Sequence, residues 1–220
     1  MASEQHNHEG HTVPEVFDEV FWEERYRSTT AVWSGNPNAQ LVAEASDLPA
    51  GAALDVGCGE GADTLWLASR GWQVTAVDFS TVALQRAAAK AEELGIGERV
   101  DWVHTDVVDW TPAVGCFDLV SAQFMHLPAQ QRDVLYARLA ASVAPGGSLV
   151  IVGHHPSHMH SAMDRPEMRG MFFTGEDLAA ALDPAEWDVV AVDARSRPAI
   201  DPDGREITLQ DAVLHARKLR

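Results

Sequence analysis

Cysteine is nearly missing: there are two in 220 residues. That is too few for a disulfide framework, and it fits a reducing, cytoplasmic setting. Long apolar runs are missing too. No stretch approaches the roughly 18 apolar residues of a membrane span, so no membrane partner is expected. The start, Met1 to His6, has neither a basic opening nor an apolar stretch, so no signal peptide is expected. Basic charge is scarce: 16 Lys and Arg stand against 33 Asp and Glu, a formal net charge of -17. A nucleic-acid backbone needs clustered cations, so nucleic acid is excluded as a partner. Net charge says nothing further about a substrate. The length suits one domain with a full core.

What is present is a glycine loop. Ala52, Ala53, Leu54 and Val56 form a short apolar strand, and Gly57, Gly59 and Gly61 follow it. Glycines there let the backbone turn sharply and approach a ligand. Ala62 to Ala68 begins a helix whose N-terminal N–H groups face the loop. Val74 to Val77 is the next strand, with Asp78 at its end. An acid about 20 residues past such a loop is a usual partner for ribose hydroxyls. Cys58 lies inside the loop and Cys116 just before a later strand.

The rest of the chain alternates. Strands are expected near 52–56, 73–77, 100–104, 117–121 and 147–153. Helices are expected near 61–70, 80–94, 129–143 and 175–182. Ser80 suits an N-cap, and Thr174 with Asp177 suits a capping box. Such alternation predicts an α/β fold, a parallel sheet with helices on both faces. Before it, residues 1–12 are a polar, His-rich tail expected to be disordered, and 13–220 is a single domain, with 13–50 helical and 51–220 the core. Val13, Val16, Phe17, Val20 and Phe21 predict an amphipathic helix, and Ala39 to Leu48 a second one. At the far end Trp187 to Ala194 reads as a strand and Asp201 to Gly204 as a turn. Residues 206–217 suit helix or strand equally.

Two nucleotide readings compete for the loop. Gly57 to Ala62 satisfies G-x-G-x-x-A, so an NAD(P)-dependent oxidoreductase is allowed. Yet Asp55 precedes the first glycine and Glu60 sits inside the loop, and carboxylates repel a pyrophosphate. A cationic ligand tolerates them, and S-adenosylmethionine (SAM) is one. Asp55 through Gly61, then Asp78, then Asp106 in Val103 to Val107, resemble in register the three acid-bearing motifs of the class I SAM-dependent methyltransferases. The resemblance spans about residues 20 to 155. It implies a Rossmann-like three-layer sandwich, with a mostly parallel seven-stranded sheet closed by a C-terminal antiparallel hairpin. It also implies methyl transfer from SAM to a small-molecule acceptor, releasing S-adenosylhomocysteine (SAH). A non-catalytic SAM-binding module is the further alternative.

A SAM site calls for particular groups. Asp55, Gly57 and Gly59, with Cys58 between them, suit the amino-acid end. Asp78 suits the ribose. Phe79 and Val107 can flank adenine, and Asp106 can accept from its amino group. The segment after the fourth strand, Gln123 to Pro128, should line the crevice at the strands' carboxyl ends. Gln123 and Phe124 are placed there as contacts, and His126 as a candidate base. A second, narrower resemblance lies in Trp22, Arg25, Tyr26, Trp33 and Asn38, which resemble the Trp–Arg–Tyr helix, Trp and Pro-Asn of the tellurite-resistance and thiol (including thiopurine) methyltransferases. It implies an N-terminal helical lid over the cofactor. It also favours a sulfur, selenium or tellurium acceptor, with a natural-product hydroxyl or amine next. His154, His155, His158 and His160 cluster after the fifth strand, and His6, His8 and His11 at the start. No cysteine pair or carboxylate spacing completes a site, so no metal is expected, and His154 is assigned to the substrate loop.

Overall fold

The computed structural model describes residues 17–160, 166–201 and 203–220. The sheet has seven strands: β1 (Ala52–Val56), β2 (Gln73–Asp78), β3 (Val100–His104), β4 (Phe117–Gln123), β5 (Val143–His154), β6 (Trp187–Ile200) and β7 (Glu206–Lys218). Their spatial order is β3-β2-β1-β4-β5-β7-β6. The first five pair in parallel, and β7 runs antiparallel to both β5 and β6. The helices are α1 (Glu19–Ser28), α2 (Ala39–Ala45), α3 (Ala62–Ser69), α4 (Thr81–Glu93), α5 (Ala129–Ser142) and α6 (Gly175–Ala179). This is the Rossmann-like sandwich with its antiparallel closing hairpin.

Alternation along each strand divides the core between two faces. Leu54, Val56, Val77, Val120, Leu149 and Ile151 pack with Leu135 and Leu139 of α5 and Leu178 of α6. Ala53, Val74, Ala76, Leu119 and Val150 pack on the other face with Leu41 of α2, Leu67 of α3 and Trp72. Helix ends follow their caps. Ser80 Oγ accepts from the Ala83 N–H at 3.1 Å, and Thr174 with Asp177 completes the capping box.

β7 explains why its own sequence reads both ways. It lies between β5 and β6 with both faces covered, so Leu209, Ala212, Val213, Leu214 and Ala216 are all buried. A strand buried on both sides shows an apolar run, and the period of two is lost. The hairpin turn is held by Asp201, whose Oδ1 accepts from the Asp203 and Arg205 N–H groups at 2.9 and 2.8 Å.

The N-terminal helix differs from the expected one. It begins at Glu19, because the Asp18 carboxylate accepts from the Phe21 N–H at 2.8 Å and sets the cap there. Val20 is 71% exposed, while Phe17 and Tyr26 are buried. Among the described residues the inward face is therefore set by Trp22 and Tyr26, four apart, rather than by Val20. Residues 13–16 and the 1–12 tail lie outside the described residues. No helix among the described residues is long and apolar enough to cross a membrane.

Candidate functional site

Sheet order reverses between β1 and β4, and the strand ends there open into one cavity of about 640 Å³. Crevices at such switch points hold ligands, and roughly 300–1,000 Å³ is the usual range. One wall is the glycine loop. The N–H groups of Gly57 and Cys58 both donate to the Val77 carbonyl, at 2.8 and 3.1 Å, which ties the loop to β2. Gly57 and Gly59 are left-handed, at φ 70° and 52°. A Cβ on Gly57 would run into Met125, and one on Gly59 would meet the Tyr26 hydroxyl at 2.9 Å. The loop thus needs glycine both for its turn and for the side chains packed on it.

Asp78 holds the loop in place. Its Oδ2 accepts from the Gly59 N–H and its Oδ1 from the Ser80 N–H, each at 2.8 Å. Each oxygen keeps a further lone pair for a ligand hydroxyl. Burial raises its pKa, against the pull of those backbone donors. Phe79, Asp106, Val107, Cys58 and Gln123 line the same cavity. Asp106 also closes a turn by accepting from the Val108 N–H at 2.8 Å. Burial and the neighbouring Asp78 raise the Cys58 thiol well above its usual range, which disfavours the thiolate.

Asp55 is placed differently from the other expected contacts. It is buried behind the loop and does not line the cavity; its Oδ2 accepts from the Thr64 hydroxyl of α3 at 2.5 Å. Asp63, in the first turn of α3, does line the cavity, and its Oδ1 accepts from the Asn38 N–H at 2.6 Å. Both pKa values are raised. Burial is the main cause for each, and for Asp55 the charge of Asp63 adds to it.

The second wall is the N-terminal segment. Trp22, Arg25, Tyr26, Trp33 and Asn38 all line the cavity. Trp22 packs with Tyr26 and Trp33, at ring separations of 6.0 and 5.8 Å. Trp33 Nε1 donates to the Tyr26 hydroxyl at 3.1 Å. Arg25 lies over the Trp22 ring, and Asn38 caps α2 by accepting from the Gln40 N–H.

A polar latch fastens this wall to the core. Glu60 Oε2 accepts from the Val32 and Trp33 N–H groups, at 2.9 and 3.1 Å. Its Oε1 pairs with Arg86 of α4 at 2.8 Å. Arg86 also donates to the carbonyls of Tyr26 and Thr29, at 2.7 and 2.6 Å. Glu23 accepts from the Ser80 hydroxyl at 2.5 Å. Glu60, read from sequence only as a charge in the loop, therefore anchors the cover.

The third wall comes from the end of β4 and the segment after β5. Phe124 has φ 51°, a left-handed value rare for a bulky residue. His126 stacks on Phe17 with ring centroids 5.3 Å apart and faces Trp22 at 5.6 Å. His154 lies 5.5 Å from His126 and 4.8 Å from Phe124. Every predicted contact except Asp55 thus lines the one cavity.

Comparison with known proteins fits this geometry. The methyltransferase domain family matches residues 53–147, which carry the glycine loop, Asp78 and Asp106. Trans-aconitate 2-methyltransferase of Rhizobium meliloti is 33% identical over 148 residues, covering 66% of this chain and 52% of that protein. Residues 53–147 thus carry the likeness, and the chain is similar to the class I methyltransferases. A probable thiol methyltransferase of Arabidopsis thaliana is 31% identical, covering 59% of each chain. Among solved structures, one described for converting a disulfide bond into a thioacetal group during echinomycin biosynthesis superposes with a TM-score of 0.70. It covers 91% of this chain and 92% of that one at 23% identity, a likeness of fold. The chain spans about half the length of the trans-aconitate methyltransferase it matches.

The site also contains residues that the sequence reading missed. Asp63 carried a faint signal, as an acid in a helix's first turn. Arg86, Arg197, Asp211, Met168 and Phe172 carried none, since each meets the site only through the fold. Among the described residues no group of three or more His, Cys, Asp or Glu could hold a metal ion. His6, His8 and His11 lie outside the described residues.

Proposed function

We infer that the chain transfers a methyl group from SAM to a small-molecule acceptor. The observation that carries this is one cavity shared by an acid-bearing glycine loop and an aromatic cover latched over it. SAM supplies an electrophilic methyl on a sulfonium. The chain's part is to bind, align and exclude water, which together supply most of the acceleration such a displacement needs.

Roles follow from placement. Asp63 faces the ligand's ammonium, at the wall where Asp55 was expected. Asp55 sets the electrostatics behind the loop and orients Thr64. Asp78 serves ribose while holding Gly59, and Asp106 with Phe79 and Val107 frames adenine. Trp22, Tyr26 and Trp33 cover the ligand and keep water out.

Two relatives are named for, or described in, sulfur chemistry, which supports a sulfur nucleophile as one acceptor; a hydroxyl or amine remains within the same reading. The test is steady-state turnover with SAM and a panel of thiols, hydroxyl compounds and amines, followed as SAH release. Acceptor-dependent SAH is the expected result. SAH released only at the background rate with every class would contradict the reading.

A further inference from the structure

Resting on that reading, we propose that Phe124 is a positioning residue that acts through its backbone. Its left-handed turn after β4 seats Met125 against the glycine loop and His126 beneath the aromatic cover, and so fixes the cofactor's wall to the wall facing it.

Alternation along β4 is the first argument. Val120 and Ala122 pack on the α5 face of the sheet, and Leu119 packs on the other. Gln123 shares the Ser121 side, where its Nε2 donates to the Ser121 hydroxyl at 2.9 Å. An extended residue at 124 would continue this period of two. Phe124 would then follow Ala122, and Met125 would follow Gln123. The order is reversed. Met125 and Leu127 pack against the cluster that holds Val120 and Ala122. As a result the five consecutive residues from Gln123 to Leu127 all line the cavity. A regular strand offers one face only every second side chain.

The reversal falls at one residue. The Phe124 N–H still donates to the Val152 carbonyl at 2.8 Å, so pairing with β5 holds up to that point. Its φ is 51°, and no other non-glycine among the described residues has a positive φ. That backbone is costly for a residue with a Cβ, and it persists only where the surroundings hold it. The Phe124 ring provides the hold. It lies 4.8 Å from the His154 ring, with the Arg197 guanidinium over it at 5.5 Å. Arg197 is fixed in turn by Asp211, its Nε donating to Oδ1 at 2.7 Å. Glycine at 124 would need no such hold.

The turn makes two contacts that the site uses. Met125 covers Gly57 so closely that a Cβ there would run into its sulfur. Gly57 opens the loop that the Val77 carbonyl ties to β2. One residue further, His126 stacks on Phe17 at 5.3 Å and faces Trp22 at 5.6 Å. Restoring the extended backbone at 124 would exchange the two faces, lifting Met125 from the loop and His126 from the cover. Methyl transfer needs both reacting partners held in line, so the walls that hold them must keep one relation.

The test is calorimetry of the full chain with SAH, on variants that separate backbone from ring. Phe124→Gly loses the whole side chain but accepts the left-handed turn, whereas Phe124→Val keeps apolar bulk on a branched Cβ that opposes it. SAH is expected to bind Phe124→Gly within about threefold of wild type, and Phe124→Val at least about tenfold more weakly. Phe124→Asn, which tolerates the turn, should likewise bind SAH more tightly than Phe124→Leu, which is nearer to Phe in size and apolarity. This second pair decides the matter if circular dichroism shows Phe124→Val unfolded. With carbon-13 at the methionine methyls, the Met125 resonance, identified by its loss in Met125→Leu, should hold its position in Phe124→Gly and move in Phe124→Leu. A ring that only packs gives the opposite order, Val above Gly and Leu above Asn. That order, equal affinities within both pairs, or a Met125 resonance unmoved in Phe124→Leu would overturn the proposal. Failure of SAH to bind the wild-type chain would remove the methyltransferase reading beneath it instead.

Discussion

Arg86→Ala should open the cover without unfolding the sheet. The guanidinium joins Glu60 to the carbonyls of Tyr26 and Thr29, three contacts between 2.6 and 2.8 Å. A hydrogen bond to a charged group is worth about 1.5–3 kcal/mol when buried. The Arg86 side chain is 30% exposed, so solvent screening reduces the sum. A total of about 2 kcal/mol is a reasonable figure, or about 30-fold in the closing equilibrium. Apparent affinity falls only as far as the closed fraction falls, so SAH should bind more weakly by up to about 30-fold. Calorimetry with SAH measures this directly. Hydrogen exchange at the Val32 and Trp33 amides, which Glu60 holds, should speed up in parallel. Arg27→Ala is the control: that side chain is 68% exposed and pairs with Glu23 one turn away, so it should change affinity by less than about 0.5 kcal/mol. Equal SAH affinity and equal amide exchange in Arg86→Ala and wild type would refute the latch.

Three other outcomes follow from the same geometry. Burial raises the pKa values of Asp55 and Asp63, so the folded ligand-free chain favours their protonated forms. Its stability should therefore fall as pH rises from the ordinary carboxylate range toward neutrality, and SAM binding should tighten and release protons over that window; Asp63→Asn should weaken SAM by about 2 kcal/mol and reduce the proton release seen by calorimetry in two buffers. Asp78→Ala leaves the Gly59 and Ser80 N–H groups without their carboxylate, so it should lower both thermal stability and SAH affinity, together by about 3 kcal/mol, measured by melting and calorimetry. Dialysis against a strong chelator should leave turnover intact, and activity lost and then restored by one metal would show a metal site that the described residues do not reveal.

Much of this was legible along the chain because local rules set it. The glycine spacing, Asp78, the Ser80 cap and the Thr174–Asp177 capping box are all neighbour effects, and all stand where the pattern put them. β7 was ambiguous because burial on both faces erases the period that distinguishes strand from helix. The first helix starts at Glu19 because Asp18 caps it there, and Trp22 and Tyr26 pack inward while Val20 faces solvent. Asp55 matched the motif, but strand alternation turns it toward Thr64 and away from the cavity. The latch was invisible for a different reason: Arg86 lies 57 to 60 residues from the carbonyls it holds, and no local pattern encodes that meeting. Arg197 and Asp211 reach the cavity only because the hairpin folds back beside β5.

The most direct test of the central claim is calorimetric titration of the full chain with SAH, beside NAD and NADP under the same conditions. The account predicts one SAH bound per chain and no heat from either dinucleotide, because the acids lining the cavity beside the glycine loop suit the ligand's ammonium and oppose a pyrophosphate. Saturable NAD or NADP binding with no heat from SAH would contradict it.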